Sequence, residues 1–207
     1  MTDSNPEEFL RLFLAISVPE AVREELRRFQ RDLQLLLPPH LARWAKPDQF
    51  HLTLKFLGNV SSADVPALRE AARLVCASTS PILLRAEGVG FFPNESSPRV
   101  FWVDIKNPDG LLPKLQQQLE IAVGQFAEKP EEKKFTAHVT LGRFEKLDRR
   151  EAENFATRAR TDRLFGKWTG QEVHLMQSTL QQCGTLHGIL ATFRTKNGET
   201  FFDRLRL

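Results

Sequence analysis

The chain has 207 residues, 41% of them hydrophobic and 27% charged, with no apolar run near the ~18–20 residues that a membrane span needs. That length supports a sizeable core, and a net charge of +3 admits an anionic substrate without implying long tracking along nucleic acid, which usually needs a concentrated basic stripe. The two cysteines, Cys76 and Cys183, stand in no C-x-x-C arrangement, which excludes a disulfide scaffold or zinc site and points to a reducing compartment.

The opening residues 1–8 are polar and acidic, unlike a signal or transit peptide, so a cytoplasmic location is expected. Residues 9–18 read as a first strand, with Arg11 and Phe13 on one face and Leu10, Leu12, Leu14 and Ile16 on the other. An amphipathic helix follows from Pro19 to Leu37, ended by Pro38-Pro39. A short strand over 42–46 leads to a strand over 50–57, in which Leu52, Leu54 and Phe56 back His51, Thr53 and Lys55. Ser61 to Asp64 is a helix start, with the helix running to about Ala77. Strands over 81–92 and 99–105 flank the turn-rich segment 93–98.

A third helix spans 109–126, and a charged loop over 128–134 precedes a strand over 135–144. A polar helix near 148–164 is followed by strands near 171–180 and 187–195. Asn197-Gly198 then makes a hairpin turn into a last strand over 199–206. Strands in hairpins with helices to one side give an α+β class.

Two strings in this pattern match: His51-Leu52-Thr53-Leu54 and His138-Val139-Thr140-Leu141, 87 residues apart. Strand geometry turns each His and Thr to one face and the residue between them to the other. Near half a chain of spacing suggests two similar lobes, one motif in each, within a single domain over 1–207. Two imidazoles can move protons to and from a reacting phosphate, because each titrates near neutrality, while two hydroxyls hold its oxygens. The residues alone leave open which His donates and which accepts. No His-x-x-x-His, Asp-rich string or cysteine pair supplies a metal site, and no glycine-rich phosphate or dinucleotide loop is present, so no metal and no cofactor are expected.

Arg143 is the best candidate to neutralise the phosphate. It lies on the wrong strand parity relative to His138, so it needs a bulge, or a strand ending near Gly142, to reach the cleft. Lys55 shares the parity of His51 and Thr53 and is a second candidate anion contact. Phe13 is a candidate stacking platform for a base. His40 reads as a loop residue, and His174 and His187 as ordinary strand positions.

These blocks together resemble the two-histidine phosphoesterase superfamily and, within it, the RNA 2′,3′-cyclic phosphodiesterase family once called 2′-5′ RNA ligases. The resemblance rests on Arg11–Ile16 with Pro19-Glu20, Arg43-Trp44, Phe50–Gly58, Gly88–Pro93, Arg99–Trp102 and Phe135–Arg143, and covers about residues 9–194. It implies two pseudo-symmetric α+β lobes, each an antiparallel sheet with helices outside, facing a central cleft. It also implies His51 as proton donor to the leaving 3′ oxygen and His138 as proton acceptor from water. Thr53 and Thr140 would then contact the phosphate or water, and Arg143 the phosphate.

The implied substrate is an RNA or oligonucleotide with a 2′,3′-cyclic phosphate end, acted on by a monomer away from membranes. The implied product is a 2′-phosphate, and the reverse reaction would join ends without ATP. Cleavage of 2′-5′ linkages is an alternative, as is an RNA-end-binding module with incidental catalysis. Departures from the family pattern are Ala137 before the second His, where Pro is frequent, and His187, where an aromatic residue, usually Tyr, is common.

Overall fold

The computed structural model describes residues 8–130, 134–145, 147–181 and 184–196. The expected hairpin at Asn197-Gly198 and the strand over 199–206 lie outside them.

The strands are β1 (Phe9–Ser17), β2 (Ala42–Trp44), β3 (His51–Ser61), β4 (Ile82–Phe92), β5 (Val100–Lys106), β6 (His138–Phe144), β7 (Leu164–Gly170), β8 (Glu172–Gln181) and β9 (Gly184–Arg194). The helices are α1 (Glu20–Gln34), α2 (Val65–Ser78), α3 (Leu111–Val123) and α4 (Arg149–Ala159). The sheet order is β7-β4-β5-β6-β3-β1-β8-β9, with β2 added on β6, and every pairing is antiparallel. The α+β class expected from the sequence is what is found, as one curled sheet with helices against it.

The two expected sheets are therefore halves of one. They meet where β3 and β6 pair through Leu52 and Val139. The halves do not follow the halves of the chain. Helices α2 and α3 pack on each other and on the β3-β1-β8-β9 half. Phe29 of α1 packs on Phe101 and Phe165, and Phe155 of α4 on Phe91, Phe101 and Phe144, all in the other half. Each half thus draws on both early and late sequence, which fixes the motifs relative to one another through shared packing.

Helix α1 forms because Val22, Leu26 and Leu33 recur at helical spacing and bury one stripe, with Glu20 in its first turn and Arg31 in its last. Gln30 shares that stripe although it is polar. Its Nε2 donates to the carbonyls of Ala45 and Leu141, each at 2.8 Å, so its burial is compensated. Helix α4 is fixed by a capping box, in which the Asp148 carboxylate accepts from the Glu151 N–H and Glu151 reaches back to the Asp148 N–H.

Several bounds differ from the sequence reading: the second-motif strand starts at His138 rather than 135, and β9 at Gly184 rather than 187. The polar helix ends at Ala159 rather than near 164, and residues 164–170 form strand β7, paired with β4. The first-motif strand continues to Ser61 instead of stopping at 57.

Candidate active site

Leu52 and Val139 are fully buried against the core, which turns His51, Thr53, His138 and Thr140 to the opposite face. Antiparallel register about that pair sets His51 across from Thr140 and Thr53 across from His138. A local two-fold relation therefore places two imidazoles and two hydroxyls on one patch of the seam. All four line a cleft of about 1130 Å³.

The two imidazoles are held alike. Nδ1 of His51 lies 2.6 Å from the carbonyl oxygen of Gln49, and Nδ1 of His138 lies 2.7 Å from that of Thr136. A carbonyl only accepts, so each Nδ1 carries the hydrogen and Nε2 is left for the cleft. The supports differ in kind. Gln49 ends a short 3-10 turn, Pro47–Gln49, and its own side chain donates to the Thr185 carbonyl at 3.0 Å. Phe92 and Trp102 flank His138 at ring-centroid distances of 5.0 and 5.7 Å. The Trp102 indole lies over Gly90, where a Cβ would collide with it.

Burial is the main cause that lowers both imidazole pKa values. His51 falls from 6.5 to about 4, with the carbonyl of Gln49 opposing the shift and His187 and His138 adding to it. His138 is also lowered, with Thr136 and Asp104 opposing and Arg143 adding. Because the folded value of His51 lies below its unfolded value, its contribution to stability is present at neutral pH. It is lost as the pH falls from about 6.5 towards 4, and amounts to about 3 kcal/mol. Thermal melts across that window are expected to show the loss, and His51→Gln to flatten it.

Beyond each Thr the two strands repeat one irregularity. Opposite β1, Lys55 pairs with Leu14 and Thr53 with Ala15, leaving Leu54 unmatched. Opposite β5, Gly142 pairs with Phe101 and Thr140 with Trp102, leaving Leu141 unmatched. A bulge of one residue reverses facing parity. The burial sequence is accordingly the same from His51 to Leu57 as from His138 to Phe144.

The bulge that Arg143 requires is thus present. Arg143 is exposed and lines the cleft, and its counterpart in β3 is Phe56, 58% exposed. The same irregularity corrects the reading of Lys55. Its side chain is only 1% exposed and pairs with Glu120 of α3 at 2.5 Å, so its charge is already compensated. Phe56, expected to back the motif, faces the cleft instead.

The bulge in β6 is held by donors from outside the strand. The Leu141 carbonyl accepts from the Ala45 N–H at 2.9 Å and from Gln30 Nε2 at 2.8 Å. Gly142 receives the Trp44 ring, where a Cβ would approach it to 3.1 Å. Gln30→Met, which keeps bulk and removes the donor, is expected to cost about 1–2 kcal/mol in denaturant unfolding. It should also lower kcat/KM by several fold through the placement of Arg143.

Phe13 lines the cleft but is 3% exposed, with the rings of His51 and His187 each 5.0 Å away and Phe56 at 6.0 Å. It backs His51 and offers no open face to a base. His187, an ordinary strand position on the sequence reading, lies in the cleft with its ring centroid 5.4 Å from that of His51. His174 does sit as expected, its Nδ1 3.0 Å from Thr192 Oγ1 inside the sheet.

The cleft also receives Arg11, Arg99 and Lys134. Arg11, Arg99 and Arg143 form no ion pair among the described residues, which favours an anion. Among those residues, no group of three or more His, Cys, Asp or Glu is placed to hold a metal ion. No described helix is long and apolar enough to cross a membrane.

A split antiparallel sheet carrying a His-x-Thr motif on each side of one cleft is the architecture of a two-histidine phosphoesterase. The family described as LigT like phosphoesterase matches residues 16–102. The RNA 2′,3′-cyclic phosphodiesterase of Thermus thermophilus is 31% identical over 195 residues, covering 89% of both chains. That of Archaeoglobus fulgidus is 29% identical over 184 residues, covering 89% of this chain and 99% of its own.

Among solved structures, TT0787 of Thermus thermophilus superposes with a TM-score of 0.75 at 28% identity, over 90% of this chain and 98% of that one. Escherichia coli LigT complexed with 3′-AMP gives 0.72 at 25% identity, over 91% and 99%. The chain belongs to the LigT-like RNA 2′,3′-cyclic phosphodiesterase family.

Proposed function

We propose that this protein opens the 2′,3′-cyclic phosphate at RNA ends to a 2′-phosphomonoester, without a metal, by paired histidine acid–base catalysis. The observation that carries the reading is the matched pair of imidazoles. Each has its Nδ1–H on a backbone carbonyl and its Nε2 left for one cation-lined cleft.

In the proposed reaction His138 Nε2 takes a proton from water as that water attacks phosphorus. His51 Nε2–H protonates the 3′ oxygen as its bond to phosphorus breaks. Thr53 and Thr140 donate hydrogen bonds to phosphate oxygens or orient the water. Arg143 neutralises the charge that grows on the non-bridging oxygens. In the free protein burial holds His51 neutral at pH 7. A bound phosphodiester raises its pKa by supplying the opposite charge, so the acid is loaded in the complex.

His51 is then a strong acid once protonated, and His138 serves as the base. With a 5′-hydroxyl in place of water, the same steps join the cyclic-phosphate end to it through a 2′-5′ bond: His138 takes the proton of that hydroxyl and His51 protonates the leaving 3′ oxygen. Both motifs come from one chain, which acts as a single-domain cytoplasmic monomer.

The test is turnover of RNA ending in 2′,3′-cyclic phosphate, with and without EDTA, followed by identification of the product isomer. The expected product is the 2′-phosphate at an unchanged rate in EDTA. A 3′-phosphate product, or activity lost to EDTA, overturns the reading, and tight binding without turnover supports an RNA-end-binding module.

A further inference from the structure

We propose that His187 is a neutral hydrogen-bond donor to the phosphate-bearing end of the substrate, a third imidazole whose tautomer is opposite to that of His51 and His138. The inference rests on the cleft being the substrate site, as read above. His187 lies on β9 opposite Ser178 of β8, and both line the cleft. Its ring meets those of Phe13 and His51 edge to face, at interplanar angles of 79° and 87°.

The nitrogens of His187 are placed differently from those of the motif histidines. Its Nδ1 is buried and has no hydrogen-bond partner among the described residues. A hydrogen on that atom would be a buried, unpaired donor, which costs more than a bare lone pair in the same place. The hydrogen therefore belongs on Nε2, where the cleft-lining ring can offer it to a ligand. Double protonation would restore the unpaired Nδ1–H and add a charge beside His51, and burial accordingly lowers the His187 pKa.

The other charged and titratable groups around this cleft are Arg11 of β1, His51 and Lys55 of β3, Glu120 of α3, Arg99 before β5, Lys134 before β6, and His138 and Arg143 of β6. Glu120, the one carboxylate among the described residues that line the cleft, pairs through Oε1 with Lys55. A neutral donor flanked by cations suits an anionic oxygen. His51 and His138 supply proton transfer, while His187 supplies only a directed N–H.

The tautomer is read directly in a long-range 1H–15N spectrum of histidine-labelled protein at pH 7. His187 is expected to be protonated on Nε2, and His51 and His138 on Nδ1. Titration with inorganic phosphate is expected to shift the His187 resonances. An Nδ1–H or charged His187, or resonances indifferent to phosphate, overturns the proposal whether or not the protein turns over cyclic phosphate.

In kinetics, His187→Phe keeps the ring and is expected to lower kcat/KM about 10- to 100-fold at every pH. His187→Tyr, which restores a donor, should recover most of that loss. A His187→Phe rate equal to the parent, or the loss of one limb of its pH profile, contradicts the assignment. If the parent protein leaves cyclic-phosphate RNA untouched, the proposed function fails, while the phosphate titration still judges His187.

Discussion

His51→Ala and His138→Ala each lower kcat/KM on cyclic-phosphate RNA by about 10²- to 10⁴-fold, the range set by losing one general acid or base. The double variant loses little more than the worse single one, because donor and acceptor act on the same transition state. The reason lies in the seam. Leu52 pairs with Val139, so the two imidazoles share one patch, and each is held by a carbonyl two residues earlier in the chain. Steady-state rates on purified single and double variants check the expectation. Singles within tenfold of the parent would show that the chemistry lies elsewhere in the cleft.

Arg143→Ala is expected to lower kcat/KM by about 10²- to 10³-fold, mostly in kcat, because a cation aimed at the developing charge is stronger in the transition state than in the bound ground state. Arg143→Lys should recover only part of it, since an ammonium lacks the planar fork. Phe56→Ala, at the matching place in the other half, is expected to raise KM and leave kcat nearly intact. An exposed ring can only bind. That contrast is what gives a near-symmetric site its direction. Equal effects of the two substitutions on kcat would remove the argument for it.

The motif pair was legible in the sequence because it depends on nearest neighbours along a strand. His and Thr two residues apart share a face, and the intervening Leu or Val marks the core side. Helix α1 was legible for the same reason, through Val22, Leu26 and Leu33 at helical spacing.

What was not legible depends on partners distant in the chain. The bulges at Leu54 and Leu141 arise from how β3 meets β1 and how β6 meets β5, so simple alternation mis-faced Lys55 and Phe56. Gln30 is out of place on an apolar stripe until its acceptor is known, the Leu141 carbonyl 111 residues away. His187 lacks the His-x-Thr pattern, and the rings it touches belong to β1 and β3, far earlier in the chain. Strand β7 hid behind the charged run of α4 because Gly166 interrupts its alternation.

The pH dependence of kcat/KM reports directly on the paired imidazoles, because it counts the protons the free protein must hold and lack at once. Both imidazoles lie below their ordinary value, and His51 lies near 4. The expected profile is a bell whose acid limb falls towards pH 4 and whose basic limb lies below 6.5, its optimum on the acid side of neutrality. Measurement on protein shown to stay folded across that range, with His51→Ala and His138→Ala each losing one limb from the residual rate, would establish the pair. A chemical step flat from pH 5 to 9 would contradict it.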